Sequence, residues 1–360
     1  MKTAQQLAAE LVRPEIRAIN AYHVAPATGM IKLDAMENPY RLPEAVRAEL
    51  GRALADVAIN RYPDASGAVV KTALRDTAAL GIDARHALIL GNGSDELIQI
   101  VATTLAKPGA TMLAVEPSFV MYKANAMLAQ MRYAGVPLRA DFTLDTDAVL
   151  AAIGREKPAL VFLAYPNNPT GNLFPLADIE RIVAAAPGLV VIDEAYHPFA
   201  QVSFADVLDA HPNAIVMRTL SKLGLAGIRL GYAFGDPAWI AEFDKTRPPY
   251  NLNSLTQATA LVVLRHADML NEQAARLRRD RDALIESLRA MEGVEPFPSA
   301  ANFVLTRVAD ANATFARMKG AGVLVKNLHG WHPLLSNCLR LSVGTPDENA
   351  AMLQALQPAA

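Results

Sequence analysis

The 360-residue chain has one cysteine, Cys338. An intramolecular disulfide is therefore excluded, and the composition suits a reducing cytoplasm. The chain has no apolar run as long as a membrane-spanning helix needs. It also lacks excess charge. Lys and Arg number 34 against 36 Asp and Glu, for a net charge of −2. Nothing in that balance favours nucleic acid or an anionic membrane surface. An anionic ligand would have to be met by positive groups gathered locally. The opening M-K-T-A-Q-Q-L-A-A-E has no long apolar core and carries Glu10, so no secretory signal is expected and the expected location is the cytoplasm. Short-period repeats and low-complexity tracts are missing. The seven histidines do not suggest a metal site: His329 and His332 are loosely spaced on an expected loop, without an acidic ligand nearby. What the chain does have is apolar residues, 52% of the total, enough to core one large or two moderate domains.

The apolar runs alternate with helical patterns. Strands are expected at 87–90, 111–115, 131–136, 159–164, 189–192, 214–217 and 230–234. Helices are expected at 43–59, from Ser66 to Gly81, from Ser94 past Leu105, up to about residue 130, at 145–153 and at 176–186. Such alternation predicts an α/β domain with a mostly parallel sheet, whose ligands bind beyond the carboxyl ends of the strands. The character changes near residue 247, at R-P-P-Y-N-L-N. One long helix is expected over 255–291, its R-L-R-R-D-R-D run on a solvated face. Strands at 302–305, 323–326 and 338–343 and a helix at 312–319 follow. The capping box Thr345-Pro346-Asp347-Glu348 then opens a last helix. The expected division is an arm at 1–35 that is part of the small domain, a large domain at 36–246 and a small α+β domain at 247–360. Within 4–19 the pattern is an amphipathic helix broken at Pro14.

One stretch, T-L-S-K-L-G-L-A-G-I-R-L-G at 219–231, places a lysine between two buried strands. Desolvation lowers a lysine's pKa, and a neutral amine can form a Schiff base with a carbonyl. Lys222 is thus the candidate anchor for pyridoxal phosphate (PLP). Other strand ends carry the parts such a cofactor needs. Asp193 would keep the pyridine nitrogen protonated. Asn168 and Tyr196 would donate to the phenolate oxygen. Ser221, Arg229 and the turn Gly93, Ser94 and Asp95 would hold the phosphate, since free backbone N–H groups point outward at a helix start. Phe119 offers a flat apolar face. Lys222 would also move the substrate proton. Taken singly, each feature has a plainer explanation: a helix cap, a turn or an ion pair. Their joint occurrence in this order favours the cofactor.

The motifs N-N-P-T-G, D-E-A-Y and S-K-L-G-L-A-G-I-R-L-G resemble the signature of fold type I aminotransferases. M-E-N-P-Y, N-R-Y-P-D, G-N-G-S-D-E and N-C-L-R-L-S-V-G-T narrow the resemblance to the histidinol-phosphate aminotransferase family, over nearly the whole chain. The resemblance implies a homodimer with shared active sites, in which Tyr62 reaches the PLP phosphate of the partner subunit. It implies that Arg340 binds the donor's α-carboxylate, and that Tyr22 and Asn38 line the substrate site. Two positions depart from the family pattern. Phe119 stands where Tyr or Trp is usual. Lys326 stands where a substrate-phosphate arginine is expected, keeping the charge without the forked geometry. The reaction implied is amino transfer from histidinol phosphate to 2-oxoglutarate, in histidine biosynthesis. Alternatives on the same scaffold are a threonine-phosphate decarboxylase and an aromatic or broad-range aminotransferase. A regulator's effector-binding module would need a DNA-binding domain ahead of the fold, and no basic helix-turn-helix pattern is present.

Overall fold

The computed structural model describes residues 1–21 and 25–357. At its centre is a seven-stranded sheet. Its strands are β2 (Ala87–Asn92), β3 (Thr111–Glu116), β4 (Arg132–Pro137), β5 (Leu160–Ala164), β6 (Leu189–Asp193), β7 (Ala214–Thr219) and β8 (Leu230–Gly235). They are ordered β2-β8-β7-β6-β5-β3-β4. Only β8 runs against its neighbours; the others are mutually parallel, in register from β3 to β7.

Strict alternation divides the side chains of each strand between two apolar cores. Val161, Leu163, Val190, Ile192 and Val216 point to one side. Leu160, Phe162, Leu189, Val191, Ile215 and Met217 point to the other. A sheet covered on both faces needs no polar face, which is why these strands read as unbroken apolar runs. Helices Ser94–Leu105, Val120–Leu128 and Pro237–Thr246 close the second core, through residues such as Ile98, Tyr122 and Phe243. Helices Ala68–Asp76, Thr146–Glu156, Leu176–Ala185 and Ser254–Leu264 close the first.

A second sheet holds β9 (Val294–Pro296), β10 (Phe303–Val308), β12 (Lys326–Asn327) and β13 (Cys338–Ser342), all antiparallel, in the order β12-β13-β10-β9. A separate pair joins β1 (Ile31–Lys32) to β11 (Val323–Leu324) in parallel. It ties the N-terminal segment to the C-terminal part of the chain. The first core continues beneath this region through Phe297, Phe303 and Leu305.

Several expectations need correction. The helix expected over 255–291 is two, Ser254–Leu264 and Ala267–Arg289. No proline or glycine lies at the break. Arg265 and His266 both turn to Glu49, His266 Nε2 at 2.7 Å, and the two helices bury different faces. The single strand expected at 323–326 changes partner instead, since β11 pairs with β1 and β12 with β13. Ser66 is not the N-cap of Ala68–Asp76. Gly67 occupies that position at φ +60°, and Asp64 Oδ2 and Ser66 Oγ accept from the Ala68 N–H. The helix after Pro43 ends at Ala55. Helix Pro237–Thr246 and strand β9 are not among the expected elements, although Asp236 followed by Pro237 is a helix-start signal. The helix broken at Pro14 is present as Ala4–Leu11 and Pro14–Arg17, and the Thr345–Glu348 capping box forms as expected.

Candidate active site

Six strand ends meet at one edge of the large sheet. β2 leads into Ser94 and Asp95, β3 into Phe119, β5 into Asn168, β6 into Asp193 and Tyr196, and β7 into Ser221 and Lys222. Because β8 is reversed, its entry residue Arg229 arrives at the same edge. Together these residues line one cavity.

Asp193 is buried at the end of β6. Its Oδ2 accepts from the Tyr122 hydroxyl at 2.7 Å, and its Oδ1 from the Ala195 N–H at 3.1 Å. Burial raises its pKa to about 6, while those two hydrogen bonds pull the other way. Lys222 Nζ donates to the Ala35 carbonyl at 3.0 Å. Burial, followed by the nearby charge of Arg340, brings its pKa down to about 8. The expected desolvated lysine is therefore present. The Tyr196 hydroxyl is pushed well up by burial.

The turn that carries Lys222 is bonded within itself. Thr219 Oγ1 donates to Ser221 Oγ at 2.9 Å and accepts from the Ser221 N–H at 3.1 Å. Arg229 Nη1 donates to Ser221 Oγ at 3.3 Å, and its Nη2 donates to Asp95 Oδ2 at 3.3 Å. Helix Ser94–Leu105 begins at this point, so its first N–H groups face the same place. Gly93 plays a different part from the one expected. Its N–H is turned onto the Gly91 carbonyl at 2.8 Å. What matters at Gly93 is the missing side chain, because a Cβ there would lie 2.6 Å from the Arg229 guanidinium.

Beside this cavity lies a wider cleft, sharing Met36, Asp95, Phe119, Asn168, Lys222 and Arg229 with it. Arg340 on β13 and Lys326 on β12 line the cleft and are register partners. Arg340 Nη1 donates to Asn168 Oδ1 at 2.7 Å and Nη2 to the Asp34 carbonyl at 2.8 Å. Lys326 Nζ stands 4.9 Å from the centre of the Trp331 ring.

Three comparisons bear on this arrangement. The family model for aminotransferase class I and II matches residues 28–356. The chain belongs to the class I and II aminotransferases. It is 60% identical to a histidinol-phosphate aminotransferase of Chromobacterium violaceum, over 97% of both chains. It is 54% identical to histidinol-phosphate aminotransferase 2 of Cupriavidus pinatubonensis, over 96% of this chain and 95% of that one. Among solved structures it is similar to a histidinol-phosphate aminotransferase of Sinorhizobium meliloti in complex with pyridoxal-5'-phosphate, with a TM-score of 0.84, 28% identity and 96% of each chain covered.

PLP is the cofactor of this aminotransferase family. The residues present fit it. A buried carboxylate is aimed into the cavity, opposite a lysine that burial brings towards neutrality. Ser221, Arg229 and a helix start make an anion cradle. Glycine at 93 and 231 keeps that cradle open, since a Cβ on Gly231 would sit 2.6–2.7 Å from the Gly93 and Ser94 backbone.

Not every expected residue joins the aminotransferase site. Asn38 is absent from both cavities. Its Nδ2 donates to the Leu223 carbonyl and to Gln273, and its Oδ1 accepts from the Tyr40 N–H, so it braces the backbone behind Lys222. Tyr62 is outside its own chain's site, 81% exposed and stacked on Tyr250 at 4.5 Å. Tyr22 lies outside the described residues. Conversely, Tyr122, Thr219 and Met36 line the cofactor cavity without having been singled out. For Tyr122 a signal existed: it stands three residues after Phe119, on the same side of a helix turn.

Proposed function

We propose that this aminotransferase moves the amino group of histidinol phosphate to 2-oxoglutarate, giving imidazole acetol phosphate and glutamate, as a step of histidine biosynthesis in the cytoplasm. The carrying observation is that two cations from the small sheet, Arg340 and Lys326, line one cleft with Lys222. Both donor substrates bear an anion at that end, a phosphate in one and an α-carboxylate in the other. A guanidinium can grip either in a forked contact, and Lys326 adds a point charge suited to the phosphate. The high identity to histidinol-phosphate aminotransferases supports this reading.

When bound, PLP supplies an electron sink that makes an amino acid's Cα–H bond acidic. The protein's own part is positioning and proton transfer. Asp193, ionised, would hold a proton on the cofactor's ring nitrogen, and Tyr122 and the Ala195 N–H hold Asp193. Ser94, Asp95, Ser221 and Arg229 would hold the cofactor phosphate, Asn168 and Tyr196 its phenolate oxygen, and Phe119 would offer its ring a flat face. Lys222 Nζ would take the proton from the substrate's Cα and move it to the carbon on the other side of the amine nitrogen. A pKa near 8 suits both directions of that transfer. We read residues 1–35 as belonging with 247–360, and residues 36–246 as the cofactor domain. The exposed Tyr62 supports a homodimer in which it serves the partner's phosphate cradle.

The test is the pair of half-reactions. Glutamate alone is expected to shift the near-visible absorbance of the holoenzyme, and imidazole acetol phosphate to restore it. Restoration only by unphosphorylated keto acids would sink the assignment. Release of carbon dioxide from threonine phosphate without a keto acid would establish the decarboxylase instead.

A further inference from the structure

The cleft has a second pole. On the wall formed by the end of β3 stands Glu116, beside Ser118 and Phe119. Its carboxylate lies across Gly135 of the neighbouring strand β4, where any side chain would overlap it. Tyr133, also on β4, lies beside Glu116, and burial together with that carboxylate pushes the Tyr133 pKa up. Lys123 Nζ comes to 3.8 Å of Glu116 Oε1, but its side chain is 69% exposed, so the pair is weakly held. Glu116 itself is 27% exposed.

The other two acids of the cleft are committed elsewhere. Asp34 pairs with Lys32 at 3.2 Å, and Asp95 with Arg229 at 3.3 Å. Glu116 is the acid that stands apart from the phosphate cradle and from Arg340. It is separated from Lys222 by three strand steps, β7 to β6 to β5 to β3, roughly 14 Å of backbone spacing. A lysine and a glutamate reaching in from the two ends narrow that gap to the length of a small substrate.

We infer that Glu116 is the residue that selects the substrate's imidazole ring, its carboxylate accepting a hydrogen bond from a ring N–H. This rests on the reaction proposed above and names the group that reads the end of the substrate remote from its phosphate. An imidazole always carries at least one N–H donor, whereas a phenyl ring has none. A cleft with Arg340 and Lys326 on the wall from the small sheet and a seated carboxylate on the wall from β3 offers an anion site and an N–H acceptor, matching the two features of a phosphate-bearing imidazole. It leaves the carboxylate without that donor when an apolar aromatic enters.

The experiment compares two donors on the holoenzyme, histidinol phosphate and glutamate, in the wild type, Glu116→Gln and Glu116→Ala. The expected result is that kcat/KM for histidinol phosphate, relative to glutamate, falls about tenfold or more in Glu116→Ala, the value of a hydrogen bond to a charged acceptor. The loss is expected mainly in KM. Glu116→Gln, nearly the same shape, should lose less because its amide oxygen still accepts. An unchanged ratio overturns the inference, and so does an equal loss with both donors, which would make Glu116 a purely structural residue. If the wild type itself fails to use histidinol phosphate, the proposed reaction fails first and the inference with it.

Discussion

Asp193 is held between opposing influences. Burial alone would neutralise it, and a neutral carboxyl could not keep a pyridine nitrogen protonated. The Tyr122 hydroxyl and the Ala195 N–H favour the ionised form, and the balance leaves a pKa of about 6. Since the ionised form is the one that binds a cationic ring, PLP affinity of the cofactor-free protein should fall as pH drops through about 6. Tyr122→Phe removes one stabilising donor. The carboxyl pKa then rises, and this limb should move to higher pH by about one unit, the size of one such hydrogen bond. Cofactor titrations across pH 5–8 would reveal it; a limb that stays in place would reduce Tyr122 to packing. The cavity also cuts across sequence distance, because Tyr122 and Asp193 meet only when helix Val120–Leu128 packs on the sheet.

At the scale of elements, the site depends on one reversed strand. β8 runs against β7 and β2, so residues entering it, not leaving it, stand at the edge that carries the candidate site. That is how Arg229, in the left-handed region at φ +52°, comes to face the start of helix Ser94–Leu105. The approach is close enough that Gly231 has no room for a side chain. Gly231→Ala would push the strand off the Gly93–Ser94 backbone, which cannot yield as a flexible side chain could. The expected outcome is a loss of PLP affinity of tenfold or more, with phosphate binding by the cofactor-free protein weakened in parallel. Unaltered affinity, measured by fluorescence titration, would show that the cradle is more pliant than its geometry implies.

Across the whole molecule, two cores and a buried ion pair set the stability on which the site depends. Arg218 on β7 and Glu194 after β6 are both buried, with Nε to Oε2 at 2.9 Å. Arg218 also donates to Ser203 and to the Leu80 carbonyl, and stands 5.1 Å from the centre of the Phe234 ring. Glu194 accepts in addition from Ser203 and the Phe204 N–H. Removing one partner leaves a buried charge uncompensated. Glu194→Leu or Arg218→Met should therefore each cost about 3–5 kcal/mol, and the double substitution less than the sum. Denaturant unfolding of the cofactor-free protein measures this, and strict additivity would contradict it.

Much of this was legible without coordinates. Alternation within β5, β6 and β7 follows from the two-residue period of a strand, and covered faces follow from unbroken apolar runs. Lys222, Asp193, Ser221 and Arg229 stand out in the sequence because each lies at or within three residues of a strand end, where local chemistry and position coincide. Other features depend on what comes near from far along the chain. The break at Arg265–His266 answers to Glu49, over two hundred residues earlier. The split of β11 from β12 answers to β1. Asn38 and Gly93 suit ligand contacts by residue type, yet both bond neighbouring backbone, because a donor bonds whichever acceptor packing brings within reach. The amino-acid sequence by itself determined the strand-and-helix alternation and the residue types at the strand ends, through local periodicity and the chemistry a PLP enzyme needs. Only the tertiary structure decided which of those side chains face one cavity. Burial, strand direction and close backbone approach are properties of the packed chain, not of any single stretch of it.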